Sequence, residues 1–207
     1  MRKIIFILWG VVIFFMDVSA QKYWDASRPD HRFTFGVRAG GSFSKYYTED
    51  HADTQFAPGL LLGLAADVNI IRSLSVTSGI YYVQKRTKFE VKVQNKSIKR
   101  TLHPAYLEIP LLLSYRIPLS DDSQFQFNVG PYYAFGLTNS ARETFETLYK
   151  KDDLGLSLGV AVTYSHYYFG ANYERSIRNI SRDVYTADQS ASRMYNGSII
   201  VSAGYNF

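Results

Sequence analysis

From Phe33 to the end of the chain the dominant period is two. Phe33, Phe35, Val37, Ala39, Gly41 and Phe43 share one phase, and Thr34, Gly36, Arg38, Gly40 and Ser42 share the other. Successive side chains of a β-strand point to opposite faces, so this pattern encodes a strand with one apolar and one polar face. Seven more segments follow the same rule: Leu60 to Ile70, Leu74 to Tyr82, Leu107 to Tyr115, Phe125 to Leu137, Leu154 to Tyr164, Tyr167 to Tyr173 and Ile199 to Phe207. Each has about the ten residues that a tilted strand needs to cross a bilayer. Pro110 interrupts the fourth segment; lacking a ladder donor, it predicts a bulge or local kink there.

Such strands could line a soluble β-sandwich, a lipocalin-like barrel or a membrane barrel, and the N-terminus bears on the choice. Arg2 and Lys3 precede an unbroken apolar run from Ile4 to Met16, then Asp17 and the small-residue pattern Val18-Ser19-Ala20. This order predicts a secretory signal peptide over residues 1–20, cleaved after Ala20. A spanning helix needs about 20 apolar residues, more than this run supplies. No later segment has that length either, so a membrane protein built from the remainder must cross with strands closed into a barrel. Residues 21–32 are then a short N-terminal periplasmic segment and 33–207 the barrel domain.

Loop lengths favour the membrane alternative. Short links near 71–73, 118–123 and 165–166 interleave with long polar ones at 44–58, 86–103, 139–152 and 178–195. Outer-membrane barrels alternate short periplasmic turns with long external loops in this way. Aromatics, with 17 Tyr and 14 Phe in 207 residues, gather at both ends. Phe33, Tyr115, Phe125, Tyr164, Tyr167 and Phe207 fall at the short-turn ends, and Phe43, Tyr82, Phe135, Tyr173 and Tyr195 toward the long loops. Two interfacial girdles result. The expected fold is all-β, an eight-stranded antiparallel up-and-down transmembrane β-barrel in the outer membrane.

The string Tyr106-Leu107-Glu108-Ile109-Pro110-Leu111-Leu112-Leu113-Ser114-Tyr115, followed by Gly130-Pro131-Tyr132-Tyr133, resembles the PorT-like outer-membrane β-barrel family of Bacteroidetes. The closing Gly204-Tyr205-Asn206-Phe207 resembles the C-terminal signal by which barrel assembly machinery recognises such proteins. The resemblance implies an eight-stranded barrel, mostly of unassigned activity, with one branch associated with type IX protein secretion. The link from Arg116 to Phe127 lacks the Arg/Asn-rich connection of that branch.

By alternation Arg38, Asp67, Glu108, Arg116 and Glu174 share the inward phase. A barrel of about eight strands is filled by its own side chains, so opposite charges there are expected to pair across the lumen as a structural network. An ion or proton path through them is the alternative. From Lys85 to Arg100 seven Lys/Arg residues stand against the single Glu90. Lys92, Lys96, Lys99 and Arg100 are candidate contacts for the phosphates of lipopolysaccharide; a solvated loop is the plain alternative. Phe89, Val91 and Val93 alternate with Lys88, Glu90 and Lys92, which predicts that the third strand continues as a hairpin beyond the membrane.

Chemistry is sparse. The chain has no Cys, which excludes disulfides, thiolate metal sites and a Cys nucleophile. His31, His51, His103 and His166 lie in no recognisable catalytic or metal motif, although Asp50 and Asp53 flank His51. The net charge of +5 is too diffuse to argue nucleic-acid binding. Three N-x-S/T matches, at Asn95, Asn179 and Asn196, are chance matches in a bacterial barrel. The expectation is a non-enzymatic surface or structural protein without cofactor or metal, contacting outer-membrane lipid, lipopolysaccharide, or surface and secretion proteins. An accessory role in type IX secretion, a narrow pore and a soluble ligand-binding barrel are the alternatives.

Overall fold

The computed structural model describes residues 25–48, 54–93, 96–102, 104–120, 122–137, 152–178 and 194–207. Among these residues every regular element is a strand: β1 (Phe33–Thr48), β2 (Thr54–Ile71), β3 (Leu74–Gln84), β4 (Thr87–Val93), β5 (Lys96–Leu102), β6 (Ala105–Ser120), β7 (Ser123–Gly136), β8 (Asp152–Tyr164), β9 (Tyr167–Ser176) and β10 (Met194–Asn206).

Eight of them close a ring. Going round it the order is β1, β2, β3, β6, β7, β8, β9, β10 and back to β1, with every neighbour antiparallel. The seam pairs β1 with β10 from Gly36 opposite Asn206 to Thr48 opposite Met194. This is the expected eight-stranded up-and-down barrel, and closure leaves it without a free edge in hydrocarbon. Short turns join β2 to β3, β6 to β7 and β8 to β9 at one end, where β1 begins and β10 finishes.

The remaining strands, β4 and β5, form the hairpin anticipated from Phe89, Val91 and Val93. It lies outside the ring, in the connection from β3 to β6, and β4 pairs with the outer end of β2 at Thr54, Gln55 and Phe56.

The period-two code is visible in burial. Along β8, Leu154, Leu156, Leu158, Val160 and Val162 face outward, while Asp153, Gly155, Ser157, Gly159, Ala161 and Thr163 face in. The outward set is the hydrocarbon face of the wall: it carries the large apolar side chains that a water-soluble protein would bury. Its rims carry exposed aromatics, Phe33, Tyr164, Tyr167 and Phe207 at the short-turn end and Phe43, Phe135 and Tyr173 at the other.

The expected bulge at Pro110 is absent, but the pairing is interrupted around it: Ile109 and Pro110 have no registered partner on β3, nor Leu111 and Leu112 on β7. The register runs through it unshifted, with Ile109 opposite Tyr133, Pro110 opposite Tyr132 and Leu113 opposite Val129. The irregularity in this pair of strands is instead at Pro118–Ser120, next to the turn. Pro110 is buried toward the lumen, and its carbonyl accepts a hydrogen bond from Ser78 Oγ at 2.7 Å. A local side-chain bond at the proline thus accompanies an intact register.

Candidate functional site

The lumen is filled by two charge clusters with apolar and aromatic packing around them. Toward the short-turn end, Arg116 Nη2 lies 3.3 Å from Asp67 Oδ2, and Nη1 donates to Asn69 Oδ1 at 2.5 Å. Thr77 Oγ1 donates to the other Asp67 oxygen and is itself 2.8 Å from Ser114 Oγ. Arg116 and Asp67 are both largely buried, so the pair is desolvated and held by neutral hydrogen bonds on its flanks.

Toward the long-loop end, Lys85 Nζ sits 2.8 Å from Glu108 Oε2, 3.0 Å from Glu174 Oε2 and 3.8 Å from Asp153 Oδ2. The Tyr132 ring lies 4.3 Å from the same nitrogen. Tyr132 OH and Ser176 Oγ donate to Asp153 at 3.1 and 2.6 Å. All of these side chains are withdrawn from solvent.

The five residues expected to line the lumen, Arg38, Asp67, Glu108, Arg116 and Glu174, are therefore all inward and buried, but their partners differ from simple pairing among themselves. Only Arg116 and Asp67 pair with each other. Glu108 and Glu174 are bridged by Lys85. Arg38 has no carboxylate partner among the described residues: its guanidinium stacks 4.0 Å from the Tyr168 ring centre, and Nη2 donates to Asn206 Oδ1 at 2.7 Å. The space it needs comes from Gly36 and Gly204. A Cβ on Gly204 would come within 2.6 Å of Arg38 Cδ, and one on Gly36 within 2.5 Å of Nη1.

Lys85 and Asp153 were not among the inward residues picked out by alternation. Lys85 continues the inward parity of Val83 and Asp153 that of Gly155, so carrying each alternation one step further would have found both. The lumen is also less polar than alternation suggests: Leu61, Val83 and Ile200 form one buried cluster, and Tyr106, Tyr132 and Ala134 another.

Between the charge clusters remains a cavity of about 40 Å³, bordered by Arg38, Tyr81, Glu108, Asn128, Tyr168 and Glu174. That is room for a few water molecules. A wider concavity of about 740 Å³ opens at the short-turn end, bordered in part by His31, His166, Arg72 and Asp122. Residues 25–31 run beside it as a strap. Asp25 N donates to Ser73 Oγ at 2.7 Å, Arg72 Nη2 to both Asp30 oxygens at 2.9 and 3.1 Å, and Asn69 Nδ2 to the His31 carbonyl at 2.7 Å. Hydrogen bonds from Ser27, aided by the Arg72 charge, hold the Asp25 carboxyl below its ordinary pKa. Asp30, by hydrogen bond and charge, raises Arg72 above its own.

His166 Nδ1 lies 3.0 Å from Ser165 Oγ, and its ring stacks on Tyr205 at 5.4 Å. His51 and His103 lie outside the described residues. No group of His, Cys, Asp and Glu among the described residues is arranged to hold a metal ion. Lys92, Lys96, Lys99 and Arg100 have described backbone only, in β4 and β5, and their side chains lie outside the described part. Register places Lys92 and Lys99 on one parity of the hairpin and Lys96 and Arg100 on the other. The predicted signal peptide and its cleavage position also lie outside the described residues.

Several solved outer-membrane proteins are similar to this chain. The outer membrane protein OprG from Pseudomonas aeruginosa superposes with a TM-score of 0.51 at 15% identity, covering 89% of this chain and 99% of that one. Neisserial surface protein A gives a TM-score of 0.46 at 13% identity, with 84% and 97% covered. Ail of Yersinia pestis gives 0.41 at 10% identity, with 86% and 100% covered. No curated protein matches the sequence. A family model described as an outer membrane protein beta-barrel domain matches residues 19–182. With a closed ring of eight strands, an apolar outer face and a match over most of its length, this chain belongs to the outer membrane protein beta-barrel domain family and is a small outer-membrane barrel.

Proposed function

We propose that this chain is a non-enzymatic surface-interaction barrel. Its wall anchors it in the outer membrane, and its long-loop end presents the β4–β5 hairpin to anionic lipopolysaccharide. The observation that carries this reading is the hairpin itself, a strand pair outside the ring whose first strand pairs with the outer end of β2. Lys88, Lys92, Lys96, Lys99 and Arg100 lie on it against the single Glu90. Phosphates and carboxylates of the outer leaflet suit charge-assisted hydrogen bonds from such a ribbon. The filled lumen supports a structural role for Arg38, Asp67, Glu108, Arg116 and Glu174 over a conducting one.

Neutralising Lys92, Lys96, Lys99 and Arg100 together should weaken binding of purified lipopolysaccharide at low ionic strength, where surface charge acts over tens of ångströms. Affinity equal to that of the unmodified protein would remove the proposal. Membership of the PorT-like family of Bacteroidetes rests on the Tyr106 to Tyr115 string with Gly130 to Tyr133. An accessory part in type IX secretion is the alternative, although the Arg116 to Phe127 link lacks the connection of that branch; loss of secreted cargo on deletion of the gene is its test. Export through a signal peptide cleaved after Ala20, and assembly by barrel assembly machinery, complete the proposal.

A further inference from the structure

Lys85 connects the lumen to the hairpin. It stands between the last residue of β3, Gln84, and the first of β4, Thr87, where the main chain leaves the wall. Its N–H donates to the Pro104 carbonyl at 3.0 Å, at the point where the chain returns ahead of β6. Ser42 Oγ donates to the carbonyl of Gln84 beside it. From this root the side chain turns inward and is fully enclosed.

The groups around its nitrogen come from four staves: Glu108 from β6, Tyr132 from β7, Asp153 from β8 and Glu174 from β9. Three carboxylates and an aromatic face suit a compact cation with three N–H donors. Emptied of that cation, the same carboxylates would face one another with no compensating charge. The hairpin by contrast is weakly held elsewhere, since β4 meets β2 through three residue pairs and a lone two-stranded ribbon is marginal in water.

We infer that the cage of Glu108, Tyr132, Asp153 and Glu174 is a primary-ammonium site whose ligand is the chain's own Lys85, and that this occupancy pins the root of the β4–β5 hairpin to the barrel. The inference does not depend on what the hairpin binds.

The test uses the full barrel in detergent with two readouts, the heat-modifiable gel shift for the barrel and the rate of trypsin cleavage between Lys88 and Arg100 for the hairpin. Lys85→Ala should lower the temperature of the gel shift. It should also speed hairpin cleavage roughly ten-fold or more, the scale expected for loss of a charge-assisted hydrogen bond. n-Butylammonium should restore barrel stability, or refolding where the variant does not fold alone. Hairpin cleavage should stay fast, because the refilled cage is no longer tied to the chain. Tetramethylammonium, without N–H donors, should restore neither. Glu108→Gln keeps the shape of the cage with one charge fewer and should speed hairpin cleavage in a folded barrel. Cleavage as slow as in the parent protein for both variants would overturn the pin. Equal rescue by the two ammonium ions, or none by butylammonium, would overturn the ammonium site.

Discussion

The guanidinium of Arg38 lies 4.0 Å from the centre of the Tyr168 ring, so this lumen arginine, without a carboxylate partner among the described residues, is held by an aromatic face. A flat cation can stack there and still reach Asn206, which a lysine ammonium cannot do from the same backbone position. Arg38→Lys should therefore destabilise the barrel by about 1–2 kcal/mol, the range of a desolvated cation–π contact. Combined with Tyr168→Leu, the loss should be less than the sum of the two single changes. Urea unfolding from lipid vesicles measures both, and strict additivity would show that the contact contributes nothing.

Arg116 and Asp67 should behave differently when removed singly and together. Asp67→Ala leaves a buried guanidinium without its counter-charge, at a cost of about 3–5 kcal/mol. Arg116→Met with Asp67→Leu removes both charges and should recover most of that loss. The same unfolding measurement distinguishes the two cases, and equal destabilisation by the single and double variants would contradict the pairing.

On the outer face, position along the strand should set the effect of a charge. Leu158 is at the middle of β8 and exposed to the hydrocarbon side, while Tyr164 is at its short-turn rim. Leu158→Arg should cost about 2–4 kcal/mol and Tyr164→Arg about 0–1 kcal/mol. Equal costs would mean that β8 does not cross the bilayer as its alternation requires.

Ser165 begins the two-residue turn from β8 to β9 with φ of 53°. A side chain in that left-handed region costs roughly 1–2 kcal/mol, and glycine there is free of it. Ser165→Gly should raise stability by about 1 kcal/mol, less what is lost with the contact to His166. A decrease in the unfolding midpoint would show that this contact outweighs the backbone relief.

The strap at the short-turn end should respond to acid. Ser27, by its hydrogen bonds to the carboxylate, lowers the pKa of Asp25 in the folded protein. The contribution of this charged form is thus complete above the ordinary aspartate value and is lost as pH falls through the depressed one. The Ser27 amide resonance should titrate below the ordinary aspartate range, and Asp25→Asn should abolish the transition. Titration at or above that range would contradict the bond.

Much of the wall was legible because a two-residue period has only two phases, and the long apolar rows at Leu154 to Val162 and Leu107 to Leu113 leave no doubt which faces out. The hairpin could be read from Phe89, Val91 and Val93 for the same reason. Partner choice inside the lumen was not legible. Alternation says that Arg38 and Glu174 point inward but not at what depth, and depth depends on the stagger of the closed ring. Along the chain Lys85 belongs with the basic residues that follow it, while the force that buries it acts across the barrel. At Pro110 the missing donor predicted a bulge or local kink; the pairing is interrupted beside it, while the Ser78 hydroxyl bonds its carbonyl and the register is kept without a bulge.

The seam between β1 and β10 unites two stretches of backbone that are among the most distant in the sequence. Joining them incurs the largest loop entropy of any neighbouring pair of staves, so chain connectivity favours this pairing last. Until that pairing forms, both rims of the curled sheet lack partners within the chain, an open edge that hydrocarbon cannot satisfy.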